Sequence, residues 1–365
     1  MFKTDTSVVH NFNSGPSILP KEVFEEAGQA ILDFNNTGLS ILEIGHRTET
    51  FQAVMDEAIA LVRSLMLLDN DHEVLFLHGG ASTQFFQVPM NLLNDQELAA
   101  YTDTGVFASK AIHEARNFGH VEIVCSSKAD NYNHLPKDFT VPKTAQYLHL
   151  TSNNTIYGSQ WQDFGLFYET GVPLVADMSS DILSREVDFN RFDLIYAGAQ
   201  KNVGAAGVNL VVVNKNLLGK VTRKIPTMMD YRQHIENGSM LNTPPVFAVY
   251  VCMLTLRWLK KQGGVRAIEK INKRKAAMVY DTIDQNPLYI GQIVPEDRSM
   301  MNACFRIEDP ALEKEFLQEC KSNGMIGVKG HRSSGGFRIS LYNALQPDSV
   351  IAITGLMKDF ATRKG

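Results

Sequence analysis

The chain has 365 residues, 44% of them apolar and 21% charged, with a formal net charge of −5. These are the proportions of an ordinary globular protein, and the length allows two domains or one large domain with an appendage. The acidic balance, with no basic–aromatic stripe, gives no hint of a nucleic-acid partner, and no apolar run approaches the roughly 18 residues of a membrane helix.

Four cysteines, Cys125, Cys252, Cys304 and Cys320, are scattered without a CxxC pair. That pattern gives no metal site and suits a reducing compartment. The opening Met1-Phe2-Lys3-Thr4-Asp5 lacks the apolar core of a signal peptide, so a cytoplasmic location is expected.

Residues 11–18, Asn-Phe-Asn-Ser-Gly-Pro-Ser-Ile, read as an irregular arm rich in turn formers. Pro20 stands where a helix starts, and Val23, Phe24, Ala27, Ile31 and Leu32 repeat at helical spacing. A loop, Asn35-Asn36-Thr37-Gly38, leads to Gly45-His46-Arg47, and a second amphipathic helix is predicted from about Phe51 to Leu67. Next comes a βα unit: the short strand Val74–Leu77, the turn Gly79-Gly80-Ala81-Ser82-Thr83, and a helix from Gln84 to about Leu93. Small residues between a strand and a helix let backbone N–H groups close on an anion, which the helix dipole favours. The turn is neither a Walker loop nor GxGxxG, and a tight turn without a ligand fits it equally well.

Further strands are predicted at Val121–Val124, Tyr147–Thr151, Val172–Ala176, Leu194–Ala197 and Asn209–Val213, with helical patterns such as Ala108–Phe118 between several of them. Most are continuous apolar runs, as in strands buried on both faces of a parallel sheet. The expected fold is α/β, a doubly wound, mostly parallel sheet with ligands at the carboxyl ends of the strands. Ser82, Ser152 to Thr155, Asp177 and Lys201 are the polar residues at those ends. After Pro244-Pro245 a long helix, Val246–Lys261, stops at Gly263-Gly264, and another runs from Val265 to about Asp284. Beyond it short strands (Ala303–Ile307, Met325–Val328 and one within Gly335–Leu341) alternate with helices at Ala311–Ser322 and up to about Ala361. The expected domains are therefore 19–263, large and α/β, and 264–365, smaller and α+β, with the arm 1–18 packing on the smaller one.

Lys201 follows the apolar run Leu194–Ala197 and precedes a glycine-rich turn. A desolvated ammonium is costly there unless paired or chemically used, and its use is covalent, since a shielded amine loses its proton readily and attacks carbonyls. Asp177 ends a strand 24 residues earlier, a spacing that suits two strands joined by one crossover. Its carboxylate needs a cation or proton donor: a structural salt bridge is one partner, a protonated pyridinium nitrogen another.

Ala176-Asp177-Met178-Ser179-Ser180 followed by Gly198-Ala199-Gln200-Lys201-Asn202-Val203-Gly204 resembles the fold-type-I, pyridoxal-phosphate-dependent aminotransferases of class V, and within them the phosphoserine aminotransferase family. Asn13-Ser14-Gly15-Pro16, His46-Arg47, Gly79 to Phe85, Ser152 to Ile156, Asn242-Thr243-Pro244-Pro245 and Gly330 to Arg338 extend the resemblance over almost the whole chain. It implies that pyridoxal 5'-phosphate forms a Schiff base with Lys201, which as a free amine moves the proton to and from the substrate α-carbon. It implies that Asp177 pairs with the ring nitrogen, that Thr155 meets the ring hydroxyl, and that Ala81, Ser82 and Gln200 hold the phosphate. Asn242 and Thr243 reach that phosphate from the other subunit of a homodimer. Phe107 stands where many members stack a tryptophan on the ring, and Ser82 where some have an arginine for the substrate phosphate.

Two His-Arg pairs in Gly-rich loops, His46-Arg47 and His331-Arg332, with Arg338 six residues after Arg332, supply donors for a multiply charged anion. By resemblance Arg338 clamps the α-carboxylate, and the pairs take a phosphate or the distal carboxylate of glutamate. The implied reaction is a transamination from glutamate to 3-phosphohydroxypyruvate, giving O-phosphoserine and 2-oxoglutarate in serine biosynthesis, with a related phosphorylated keto acid of pyridoxal phosphate synthesis as an open second substrate. Two alternatives are another class-V chemistry, such as cysteine desulfuration, and a non-catalytic binder of a phosphorylated metabolite. The first needs a mobile cysteine, against the strand and helix positions of Cys304 and Cys320, and the second has no use for Lys201.

Overall fold

The computed structural model describes residues 8–364, so the first seven residues of the expected arm and the final glycine lie outside it. The chain runs through β1 (His10–Asn11), α1 (Lys21–Leu32), α2 (Glu49–Met66), β2 (His72–His78), α3 (Ala81–Leu92), β3 (Leu98–Asp103), α4 (Val106–Ala115) and β4 (His120–Ser126). It continues through β5 (Ala145–Thr151), the single turn α5 (Gly165–Tyr168), β6 (Leu174–Asp177), β7 (Leu194–Gly198), β8 (Val208–Asn214) and the short α6 (Tyr231–Glu236). Then come α7 (Val246–Lys261), α8 (Gly264–Asp284), β9 (Ile290–Gly291), β10 (Asn302–Arg306), α9 (Pro310–Ser322), β11 (Met325–Ile326), β12 (Phe337–Ser340) and α10 (Pro347–Lys364).

Seven strands form the main sheet in the order β2-β8-β7-β6-β5-β3-β4, in which β8 runs antiparallel to both its neighbours and the remaining pairs are parallel. The burial alternates as the pleat requires. Leu148, Leu150, Ala176, Ile195 and Val212 join one apolar cluster with α1, α2 and α7, while Tyr147, Val175, Leu194, Tyr196 and Val213 join a second with α3 and α4. Helices thus cover both faces, and the carboxyl edge of the parallel strands is left for the site.

β3 lies between β5 and β4, a strand that the sequence pattern did not mark. Its Leu-Ala-Ala-Tyr run lacks β-branched residues, and tertiary pairing overrides that weak local preference. The crossover from β6 to β7 is not helical: residues 178–193 hold only turns, bends and a short 3-10 turn at Phe189–Arg191.

A three-stranded sheet, β12-β10-β9, packs with α9 and α10 into a separate core that includes Phe12 of the arm. β1 pairs in parallel with β11, which ties the arm to this unit. α8 serves both cores: Val265 and Ile268 face the main one, and Ala276, Val279 and Ile283 the other.

Lys275, on the same helix, is fully buried and donates from Nζ to the carbonyls of Leu341, Tyr342 and Leu345 at 2.9, 2.8 and 3.1 Å. Within the segment it holds, Asn343 N donates to Asn202 Oδ1 at 2.9 Å, next to Lys201, and Asn343 Oδ1 accepts from Asn272. The C-terminal unit is therefore fastened to the turn that carries Lys201. Among the described residues no helix is long and apolar enough to cross a membrane, and no three His, Cys, Asp or Glu side chains group as a metal site.

Lys275→Met leaves three buried carbonyls without their donor, a loss of about 3 kcal/mol. The expected outcome is a melting midpoint lower by several degrees in thermal denaturation, and an unchanged midpoint contradicts this role.

Candidate active site

Asp177 is the last residue of β6, in register with Thr151 on β5 and Tyr196 on β7. Lys201 lies three residues beyond the end of β7. Because these strands are parallel neighbours, both side chains emerge at one edge of the sheet. They line a cavity of about 140 Å³ with Gly80, Ala81, Ser82, Phe107, Thr155 and Gln200. Thr151, Asn153, Ser179 and Ser180 complete its wall.

Lys201 Nζ donates to Thr155 Oγ1 at 2.7 Å and stands 5.5 Å from the centroid of the Phe107 ring. Burial pushes the amine down to about 8; the charge of Asp177 opposes that shift and the charge of Arg338 adds to it. Asp177 is 4% exposed, and burial pushes its carboxyl up, against two hydrogen bonds from Ser179 and the charge of Lys201. Both bonds, from Ser179 N at 2.9 Å and Ser179 Oγ at 2.6 Å, end on Oδ1. Oδ2 receives no protein donor among the described residues, and a buried carboxylate oxygen so left calls for a proton or a cation beside it.

The third wall is the start of α3. Gly80 precedes it with no side-chain cap, so the first N–H groups of the helix face the cavity at Ala81 and Ser82. Gln200 Oε1 is buried nearby without a partner, and turning the amide over presents Nε2 to the same space. The cavity thus has an amine of lowered proton affinity, an under-satisfied carboxylate and the uncapped start of a helix.

Arg338, on β12, donates from Nη1 to Thr155 O at 3.1 Å and from Nη2 to Ser14 Oγ at 2.6 Å, and its Nε is buried without a partner. Ser14 O accepts from Tyr342 OH at 2.7 Å. Ser17 donates from N to Gln200 O at 2.9 Å and from Oγ to Lys201 O at 2.5 Å. The arm therefore clamps the backbone of the key lysine and joins it to Arg338, a role the sequence motif Asn13 to Pro16 marked without explaining. Ser179, which fixes the orientation of Asp177, is a second residue of this kind.

The remaining sequence candidates do not line this cavity. His331 and Arg332 are exposed, but the charges of Arg338, Arg332 and Lys110, after burial, push His331 below its ordinary range, which puts the loop on the Arg338 side of the site. His46 is half-buried with Nε2 unpartnered, and Arg47, Asn242 and Thr243 are exposed. Cys304 and Cys320 are also outside the cavity, and burial pushes each thiol up to about 12, which suits inert core residues.

Residues 9–352 match the family model of the class-V aminotransferases. The chain belongs to that family. A phosphoserine aminotransferase of Flavobacterium psychrophilum is 52% identical over 355 residues, covering 97% of this chain and 99% of that one. One of Bacteroides fragilis is 51% identical over 353 residues, covering 96% and 98%. Among solved structures, a phosphoserine aminotransferase of Bacillus circulans subsp. alkalophilus superposes with a TM-score of 0.94 at 43% identity, covering 98% of this chain and all of that one. A pyridoxal-phosphate-bound phosphoserine aminotransferase of Trichomonas vaginalis gives 0.89 at 33% identity, covering 96% and 100%.

The residues present fit the cofactor that a class-V aminotransferase implies. The amine, held only by Thr155 Oγ1, the free Oδ2 and the uncapped helix start suit an aldehyde, a pyridine nitrogen and a phosphate in turn.

Labelling with an amine reagent across a pH series, read by mass spectrometry, is expected to modify Lys201 with a midpoint near 8 rather than the ordinary 10.5. Asp177 stabilises the charged amine, so Asp177→Asn lowers that midpoint further. A midpoint that stays or rises in the variant contradicts this geometry.

Proposed function

We propose that the chain transfers the amino group of glutamate to 3-phosphohydroxypyruvate, giving O-phosphoserine and 2-oxoglutarate, with pyridoxal 5'-phosphate held at Lys201. The observation that carries this reading is the meeting of the Lys201 amine and the Asp177 carboxylate in one cavity closed by the uncapped start of α3. The names of relatives at about half identity over nearly full length support the choice of substrates.

When bound, the cofactor supplies an aldehyde that exchanges the amine and a ring that withdraws electrons from the substrate α-carbon. Asp177 would pair with the ring nitrogen through the oxygen that Ser179 leaves free. Ala81, Ser82 and Gln200 would hold the phosphate, joined by Asn242 and Thr243 of the partner subunit. Thr155 would meet the ring hydroxyl and Phe107 would lie against the ring. Lys201, with its proton affinity lowered by burial, receives the proton that leaves the substrate α-carbon and returns it in the reverse half. Arg338 would clamp the α-carboxylate with its planar fork, which Thr155 O and Ser14 Oγ hold in place. His46, Arg47, His331 and Arg332 would take the phosphate of one substrate and the distal carboxylate of the other, so that one pocket serves both halves.

A homodimer belongs to this reading. Asn242, Thr243 and Arg47 are exposed here, and so are the large apolar side chains Phe24, Leu32, Leu39 and Leu42 on α1 and the loop before His46. Four buried free thiols are in keeping with a cytoplasmic enzyme. We extend the substrate range to the phosphorylated keto acid whose amination gives 4-phosphohydroxythreonine in pyridoxal phosphate synthesis, since the same anion donors serve it. The division into domains 19–263 and 264–365 is kept as part of the proposal, with α8 shared between their cores.

Adding glutamate to the purified protein is expected to remove its visible cofactor absorption, and 3-phosphohydroxypyruvate to restore it. Lys201→Ala is expected to lower turnover roughly 1000-fold with the circular dichroism of the fold retained. Unchanged absorption with both substrates, or retained turnover in the variant, overturns the assignment.

A further inference from the structure

A second cavity, of about 630 Å³, adjoins the first at Ser82 and is walled by Lys110 and Glu114 of α4, Lys128, Tyr132 and Tyr157. Lys110 is exposed and forms no hydrogen bond or ion pair among the described residues, although Glu114 lies one helical turn away on the same wall. Its contacts are with the site. Nζ stands 5.6 Å from the centroid of the Phe107 ring, the ring that Lys201 Nζ approaches at 5.5 Å. Its charge also acts on His331, together with the charges of Arg338 and Arg332. Lys110 is thus an unpaired cation beside the ring that bounds the site, within electrostatic reach of the loop that carries His331. Ser82, where the two cavities join, brings no charge of its own.

Building on the proposed function, we propose that Lys110 is a specificity-determining residue whose ammonium contacts the phosphate of the phosphorylated keto acid. A phosphate carries more charge and more acceptor oxygens than the distal carboxylate of glutamate, and a compact ammonium on a flexible stem can meet any of those oxygens. The added cation therefore favours the phosphorylated substrate over an analogue that lacks the phosphate, and over glutamate by a smaller margin. Lys128 lines the same cavity without a contact to Phe107 or an effect on His331, and it serves as the internal control.

The test is steady-state kinetics of the holoenzyme with 3-phosphohydroxypyruvate, hydroxypyruvate and glutamate for the wild type, Lys110→Met, Lys110→Arg and Lys128→Met. Lys110→Met is expected to raise KM for 3-phosphohydroxypyruvate about tenfold, the worth of one charge-assisted hydrogen bond, with kcat and the KM for hydroxypyruvate within about twofold of the wild type. Lys110→Arg restores most of the loss, and Lys128→Met matches the wild type. Equal losses with both keto acids, an equal loss in Lys128→Met, or no change in Lys110→Met overturns the proposal. If the wild type itself does not prefer 3-phosphohydroxypyruvate to hydroxypyruvate, the functional assignment fails instead, and the two failures are told apart by that control.

Discussion

The structure depends on holding an amine and a carboxylate in one cavity without letting them neutralise each other directly. Burial lowers the proton affinity of Lys201 and raises that of Asp177, and each partly restores the charge of the other. The amine rests on Thr155, not on the carboxylate, and the carboxylate is turned by Ser179 so that one oxygen stays free. Such a pair is costly when empty, since buried charges cost several kcal/mol unless fully paired. The cost falls when a group with an electrophilic carbon at one end and a protonatable nitrogen at the other lies between them.

The rest of the fold serves that separation. Parallel neighbours β6 and β7 deliver the two residues at the same edge, and the helices on both faces keep water out of the sheet. Close packing fixes the turn after Lys201. A Cβ at Gly204 would come within 2.8 Å of the Cys252 backbone on α7, so only glycine lets the turn lie against that helix. From the other side, Ser17 holds the carbonyl of Lys201, and Asn202 is held by Asn343, which belongs to the segment gripped by Lys275. The lysine is thus braced by the arm, the main core and the C-terminal unit at once.

Much of this was legible in the residues. Asp177, Lys201 and Thr155 were marked by polar character at the end of an apolar run, the turn before α3 by its small residues and Gln200 by the family resemblance alone, and they line one cavity. α7 was legible residue for residue because prolines precede it and glycines follow it. What escaped depends on contacts distant in sequence. β3 has an alanine-rich run whose strand state is imposed by its neighbours, and Ser14 and Ser17 act through hydrogen bonds spanning more than 180 residues. The His-Arg pairs carry no mark of where they will be used, and in the single chain neither pair enters the small cavity.

The most direct test is to trap the covalent link. Borohydride reduction of the purified holoenzyme, followed by digestion and mass spectrometry, is expected to place the pyridoxyl group on the peptide containing Lys201. A label on another lysine, including the buried Lys275 whose proton affinity burial also lowers to about 7, or no label at all, would contradict the account.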